Sequence, residues 1–229
     1  MPAIALTDTN NLFGAMEFTK KAINKKMQPI LGVNLTIEKK IEEDKSRSLC
    51  NITCLIMNQK GWQNLSILVS SIYKNLQKYK QKFVFLNEFL KHNDGILILF
   101  DDVSESSLLQ KNSNDCFFVK DLKNVFQDRM YLNIFRKNNK HQSIQEKNLL
   151  FLSFEYDIPL VCSNNISFLN RDMYEAQDCL MCINQSTTIA DIKRIKPVSE
   201  CYFKDSGEML SLFEDMNEAI TNTLNIPKR

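Results

Sequence analysis

Short apolar runs alternate with amphipathic segments along most of this chain, and that alternation limits its possible folds more than any other feature. The runs are Ala3–Leu6, Pro29–Ile37, Asn51–Met57, Gly95–Phe100, Met130–Phe135 and Pro159–Cys162. Several are continuous rather than alternating in polarity, as strands buried on both faces are. Helical patterns lie between them. Leu12 to Lys25 is amphipathic, with Lys20, Lys21, Lys25 and Lys26 on its exposed side. Trp62, Leu65, Leu68, Val69, Ile72 and Tyr73 form one stripe at helical spacing. Ile144–Phe154 predicts a helix that delivers the chain into the run after Asp157-Ile158. Met173, Ala176, Cys179, Leu180 and Ile183 repeat the stripe. Met209, Leu210 and Phe213, then Ala219, Ile220 and Leu224, mark the last helices. Strand-then-helix alternation argues for an α/β fold of parallel strands with crossover helices. Without a dinucleotide-binding fingerprint, a barrel-like closure is favoured over a doubly wound sheet.

The chain has 229 residues and neither an internal repeat nor an interdomain linker, so one domain over residues 1–229 is expected. Lys39–Ser48 reads as a solvated loop and Lys137–Lys147 as a polar surface connection. Met1-Pro2-Ala3-Ile4 enters a strand at once, which leaves no room for a preceding βα unit. A closed barrel would lack its first unit, expose two sheet edges and be poorly stable alone.

Two scarcities exclude whole classes of chemistry. Five glycines leave neither GxGxxG nor GxxxxGK[ST], and two histidines rule out a site of several imidazoles. A net charge of +2 sets up no global field for nucleic acid, so DNA contact would need a local patch or a neighbouring domain. Cys50, Cys54, Cys116, Cys162, Cys179, Cys182 and Cys201 follow no disulfide framework and suit reduced, mostly buried thiols of a cytosolic protein. Cys179-Leu-Met-Cys182 lacks a second pair for zinc and reads as core packing. No apolar window reaches ~18 residues, the length a membrane span needs, and the N-terminus lacks a signal peptide's features.

The stretch "ALTDTNNLFGAMEF", Ala5 to Phe18, places Asp8 at the C-terminal end of a strand, where α/β enzymes keep their chemistry. Yet Thr9, Asn10 and Asn11 follow it, and none is a good base or metal ligand. Such an aspartate also commonly caps the next helix or a turn. His92 and His141 lie in polar segments and read as surface residues.

Four ordered blocks carry a family resemblance. "MPAIALTDTNNLFGAMEFTKKAINKKMQPILGVNLTI" resembles the start of the PHP (polymerase and histidinol phosphatase) domain of bacterial DNA polymerase III alpha subunits. "NQKGWQNLSILVSSIY" is similar to that family's Gly-Tyr-x-Asn-Leu helix. "YDIPLVCSNNISFLNRDMYEAQDCLMCI" is similar to its Ile-Pro-Leu-Val-Ala-Thr-Asn segment. "CYFKDSGEMLSLFEDMNEAITNTLNI" resembles its Lys-Ser-x-Glu-Glu-Met run. Lys39–Cys50 and Leu108–Phe126 match weakly.

The resemblance implies a distorted TIM-like barrel of parallel strands with surrounding helices. It also implies that active members hold a metal cluster that hydrolyses phosphoesters through metal-bound water. Residue by residue, the ligand pattern is emptied. A His-x-His motif would precede Met1. Asp8 keeps an aspartate, but the following histidine position is Thr9, and Asn10 stands where the family has glycine. Asn34 corresponds to a glutamate, Asn51 to a histidine, and Asp102, within Asp101-Asp102, to a cysteine or similar residue. Asn133 corresponds to a glutamate and Lys137 to a histidine. Asn165 and Ser167 replace the aspartate and histidine of Asn-Asp-Val-His. Amides, hydroxyls and an ammonium hold di- or trinuclear metal poorly. Asn133 and Asn165 are expected to hydrogen-bond with neighbours across the old site.

The resemblance therefore implies a non-catalytic scaffold in DNA replication, with no metal, cofactor or catalytic residue of its own. Its expected partners are the proofreading exonuclease subunit and the polymerase domain. DNA would be met only indirectly and a membrane not at all. Magnesium would belong to a polymerase domain beyond residues 206–226, and zinc or manganese would matter only if the PHP site were active. The alternatives are an active metal-dependent phosphoesterase or 3′–5′ exonuclease, and a non-functional remnant of a split polymerase gene.

Overall fold

The computed structural model describes residues 2–41, 47–102, 114–136 and 144–229. Its strands are β1 (Ala3–Leu6), β2 (Gln28–Ile41), β3 (Arg47–Ile56), β4 (Val84–Phe85), β5 (Ile96–Phe100), β6 (Met130–Phe135) and β7 (Leu160–Ser163). They form one seven-stranded sheet, ordered β1-β2-β3-β5-β6-β7. The sheet curls into a half-barrel, with helices around it. Every apolar run in the sequence supplies a strand. β1–β2, β2–β4, β5–β6 and β6–β7 are parallel.

β3 departs from the expected all-parallel order, running antiparallel to both β2 and β5. Only five residues separate β2 from β3, and strands joined by so short a connection pair as a hairpin. Lys39–Ser48 accordingly is not simply a loop: β2 continues to Ile41 and β3 begins at Arg47. Residues 42–46 of that stretch, and 137–143 of the second connection, lie outside the described residues.

The helices are α1 (Ala15–Asn24), α2 (Gln59–Tyr79), α3 (Leu86–Lys91), α4 (Asn114–Phe126), α5 (Ile144–Tyr156), α6 (Tyr174–Asn184), α7 (Ser206–Leu212) and α8 (Asn217–Asn222). One face of the sheet, including Leu35, Ile52, Ile98 and Leu132, packs on Leu65, Leu68 and Ile72 of α2 and on Leu122, Leu149 and Leu152 of α4 and α5. The opposite face carries a smaller cluster of Leu55, Leu97, Tyr131 and Val161, met by Ile226 near the C-terminus. Burying side chains of this size yields about 1.5–3 kcal/mol each, so the helix-covered face supplies most of the fold's stability.

Two close approaches fix the helices on the sheet. The Asn58 side chain caps α2 by accepting from the Gly61 N–H at 3.0 Å. There Gly61 meets Gly95 backbone to backbone, and a Cβ on Gly61 would fall 2.0 Å from the Gly95 oxygen. Gly95 itself has φ +72, a left-handed conformation that disfavours any other residue. At the other end, Arg136 donates to Glu146, to Asp215 and to the Leu212 carbonyl, clamping α5 and the α7–α8 connection to the end of β6.

Two edges of the sheet were expected to be exposed. The β7 edge is partly covered, because Asn222 of α8 donates to the outward-facing Leu160 carbonyl at 2.9 Å. α6 runs against another expectation. Cys182 is buried but Cys179 is exposed, and Leu180 and Ile183 of the same stripe are 60% and 74% exposed. The stripe reads as core by spacing, yet the helix buries Asp178 and Cys182 instead and pairs Asp178 with Arg194 at 2.5 Å.

The Gly61–Gly95 contact yields a direct test. Gly95→Ala combines a left-handed backbone cost of about 1–2 kcal/mol with overlap against Gly61 and Asn58. It is expected to lower stability by about 2–4 kcal/mol in urea denaturation. Gly207→Ala, whose new Cβ would meet only Asp205 Oδ1 at 3.2 Å, is the control and should be neutral or mildly stabilising.

Candidate functional site

The candidate site lies where strand ends converge around the middle of β2, which is long enough to take two partners along one edge. β1 pairs with Gln28–Leu31, and β4 pairs farther along with Ile37 and Glu38. The turn after β1 fills the gap between them. The Asn34 N–H donates to the Asp8 carbonyl and the Asn10 N–H to the Asn34 carbonyl, each at 3.0 Å. The Asn10 side chain then supplies the next rung: its Oδ1 accepts from the Thr36 N–H and its Nδ2 donates to Thr36 Oγ1, both at 2.9 Å. Asn10 has φ 58, a conformation open to asparagine and glycine but costly for most residues. That backbone requirement explains why asparagine can stand where the resembled family has glycine.

The chain of polar contacts continues across the sheet. Thr36 Oγ1 donates to Asn51 Oδ1 at 3.0 Å, and the Asn51 N–H donates to Asp102 Oδ2 at 2.9 Å. Lys39 Nζ donates to the Asp102 carbonyl at 3.1 Å and lies over the Phe100 and Phe118 rings. Beside this line, Asn133 Nδ2 donates to Asp101 Oδ2 at 2.8 Å. Asn133 is 6% exposed, and its buried Oδ1 has no hydrogen-bond partner among the described residues. Burial pushes the Asp101 carboxyl above the usual carboxylate range. The Asn133 hydrogen bond opposes that shift, and the Asp102 charge adds to it.

The other sequence positions fall away from this line. Asp8 is exposed, and the N-cap of α1 is Gly14 with no side-chain hydrogen bond, so Asp8 does not cap that helix. Asn11 shapes the turn instead, donating to the Thr9 carbonyl and accepting from the Phe13 N–H. Thr9 is exposed and bridges Asn34 through the backbone. Asn165 and Ser167 are exposed. The bond expected of Asn165 is made by Asn164, which donates to the Tyr202 carbonyl at 2.5 Å. His92 lies beside Asn64, with 3.4 Å between Nδ1 and Oδ1. Lys137 and His141 lie outside the described residues. Sequence reading passed over Asp101 and Asn10. Period-two counting along β5 and the Leu99–Tyr131 register would have found Asp101 opposite Asn133.

These residues do not fit a metal cluster. Among the described residues, no group of three or more His, Cys, Asp or Glu is placed to hold an ion. Two of the neutral oxygens that could substitute already accept hydrogen bonds: Asn10 Oδ1 from a backbone N–H and Asn51 Oδ1 from a hydroxyl. Among the described residues Asp101 is the carboxylate bonded to Asn133, and a single carboxylate with one amide does not supply the several anionic or imidazole ligands such centres need.

The PHP domain family profile matches residues 1–145. The whole chain aligns with DNA polymerase III subunit alpha of Rickettsia prowazekii at 32% identity, covering 100% of this chain and 19% of the relative. The same subunit from Caulobacter vibrioides is 29% identical, with 100% and 21% covered. That of Vibrio cholerae is also 29% identical, with 100% and 20% covered. The chain thus spans about a fifth of the length of the curated relatives it matches. A metal-dependent phosphoesterase structure from Bifidobacterium adolescentis overlaps with a TM-score of 0.49 at 9% identity, covering 72% of this chain and 77% of that one.

The Asp101–Asn133 pair carries a pH prediction. Its folded pKa is raised, so the contribution of Asp101 to stability is fully present below the ordinary carboxylate value of about 4. That contribution is lost as pH rises through the folded value. Asp101→Asn removes the buried charge and offers a donor to the orphaned Asn133 oxygen. The variant is expected to gain about 1 kcal/mol near pH 7 and to lose that advantage below about pH 4. Urea denaturation across this range checks it, and a variant less stable than the parent at pH 7 contradicts it.

Proposed function

The chain belongs to the PHP domain family, and from that premise we propose that it serves bacterial DNA replication as the non-catalytic PHP portion of a DNA polymerase III alpha subunit. One observation carries the reading. Two positions where the resemblance puts ligands, Asn51 and Asp102, are tied instead into a hydrogen-bonded line that runs from Asn10 through Thr36 and Asn51 to the Asp102 carboxylate. A site wired in this way keeps its shape without an ion, whereas a metal-free carboxylate cluster would repel itself.

The proposed role is mechanical. The domain braces the polymerase portion of the subunit and receives the proofreading exonuclease subunit, in the cytoplasm. Among the described residues no helix is long and apolar enough to cross a membrane. The segment around α6 supports a packing role: Leu169, Leu180, Ile183, Ile189, Ile192 and Ile195 are all more than half exposed, with Ile192 at 89%. Large apolar side chains exposed along one segment are what an interaction surface needs. The polymerase portion is the occupant favoured here, because the relatives carry about four-fifths of their length outside the matched region.

Two assays test this. Incubated with manganese or zinc, the purified chain is expected to release no nucleotide from 3′-labelled DNA above the protein-free rate. Mixed with the proofreading exonuclease subunit, it is expected to co-elute in size-exclusion chromatography. Metal-dependent 3′ release that Asp101→Asn or Asp102→Asn abolishes would overturn the non-catalytic reading.

A further inference from the structure

The positive charge of this chain is unevenly placed. From Lys60 to Asn87 the sequence carries Lys60, Lys74, Lys78, Lys80 and Lys82 and no Asp or Glu. The whole chain sums to +2, so everything outside that stretch is net negative. Four of the lysines crowd the C-terminal end of α2. Lys74 and Lys78 are one turn apart on the helix, Lys80 is its left-handed C-cap, and Lys82 precedes β4. All four are exposed, as are Gln77 and Gln81 among them.

Among the described residues no acidic side chain pairs with this cluster, whereas Lys21 on α1 is held by Glu17 at 2.7 Å. A helix C-terminus favours cations in its last turn, which accounts for Lys78 but not for Lys80 and Lys82 beyond the helix. Two of the ammonium groups are held over aromatic rings: Lys78 lies 5.1 Å from the Tyr79 centroid and Lys82 lies 6.0 Å from that of Tyr73. Tyr79 also packs on Phe83 and Phe85, with centroids 5.6 and 5.9 Å away. That aromatic block makes a firm floor and leaves its rings engaged, so the surface presents charge rather than platforms for base stacking.

We propose that the end of α2, through Lys74, Lys78, Lys80 and Lys82, binds the phosphate backbone of duplex DNA without reading its sequence. A duplex presents one charge per about 1.7 Å of axis, the densest match to closely spaced and unpaired lysines. This goes beyond the scaffold role, which involves DNA only through partners. It rests on the local charge alone, so its failure would leave the scaffold reading standing.

The test is fluorescence anisotropy of the full chain with a labelled random-sequence duplex of about 30 base pairs, from about 50 to 200 mM salt. Binding in the micromolar range is expected, with a log–log salt slope between about −3 and −4, as for roughly four phosphate contacts. Lys78→Glu with Lys82→Glu should weaken binding at least about tenfold and flatten the slope by about 2. Lys20→Glu with Lys25→Glu on α1 should change affinity less than about twofold. Should the first pair disturb the circular dichroism of the fold, Lys74→Gln with Lys80→Gln takes its place. The proposal is overturned by any of four results: no binding at the lowest salt, equal losses for the α1 and α2 variants, tighter binding of the single strand, or equally effective competition by polyglutamate.

Discussion

The side-chain amide of Asn10 stands in the hydrogen-bond ladder of β2 as though it were backbone. It accepts the Thr36 N–H that neither β1 nor β4 reaches, and it returns a donor to the Thr36 hydroxyl. The outer edge of β2 is thereby continuous from β1 through the turn to β4, although no single strand covers it. The arrangement needs a residue that tolerates a left-handed backbone and carries both a donor and an acceptor, which asparagine does. The rung leads directly into the polar line from Thr36 through Asn51 to Asp102. The same rung engages the Asn10 oxygen with a backbone N–H, so this side chain serves the fold.

Much of this architecture was legible in the sequence. The apolar runs located six of the strands, because a strand buried on both faces has to be apolar along its length. The Trp62–Tyr73 stripe located α2 for a similar reason, and Leu65, Leu68 and Ile72 are fully buried. What escaped has physical causes. β4 is two residues long and has no period to detect. The antiparallel β3 depends on a connection too short for a helix, a fact about the link rather than about either strand. α4 lies in a stretch that matches the resembled family weakly and was assigned to no element.

The α6 stripe was misread because spacing cannot say what a helix face meets. Its apolar residues point away from the body of the domain, and the buried side holds a charged pair, Asp178 with Arg194, in their place. At the candidate site, the substituted ligand positions were visible residue by residue, yet Asn165 and Asp8 proved to be bystanders, with Asn164, Asn10 and Asp101 making the contacts instead. Identity at a position is a property of the sequence, whereas direction depends on turns such as the left-handed one at Asn10. Charge shows the same divide: a total of +2 concealed a lysine-only stretch balanced by acidic residues elsewhere.

The central claim is that the converging strand ends form a hydrogen-bonded network of mostly neutral side chains, with too few anionic or imidazole ligands to hold a metal cluster. Side-chain amide NMR with manganese as a paramagnetic probe tests it most directly. The account predicts that the NH₂ signals of Asn10 and Asn133 and the backbone signals of Thr36 and Asn51 keep their intensity at equimolar manganese. Selective loss of these signals, while those of exposed asparagines elsewhere survive, would place an ion within the network and contradict the account.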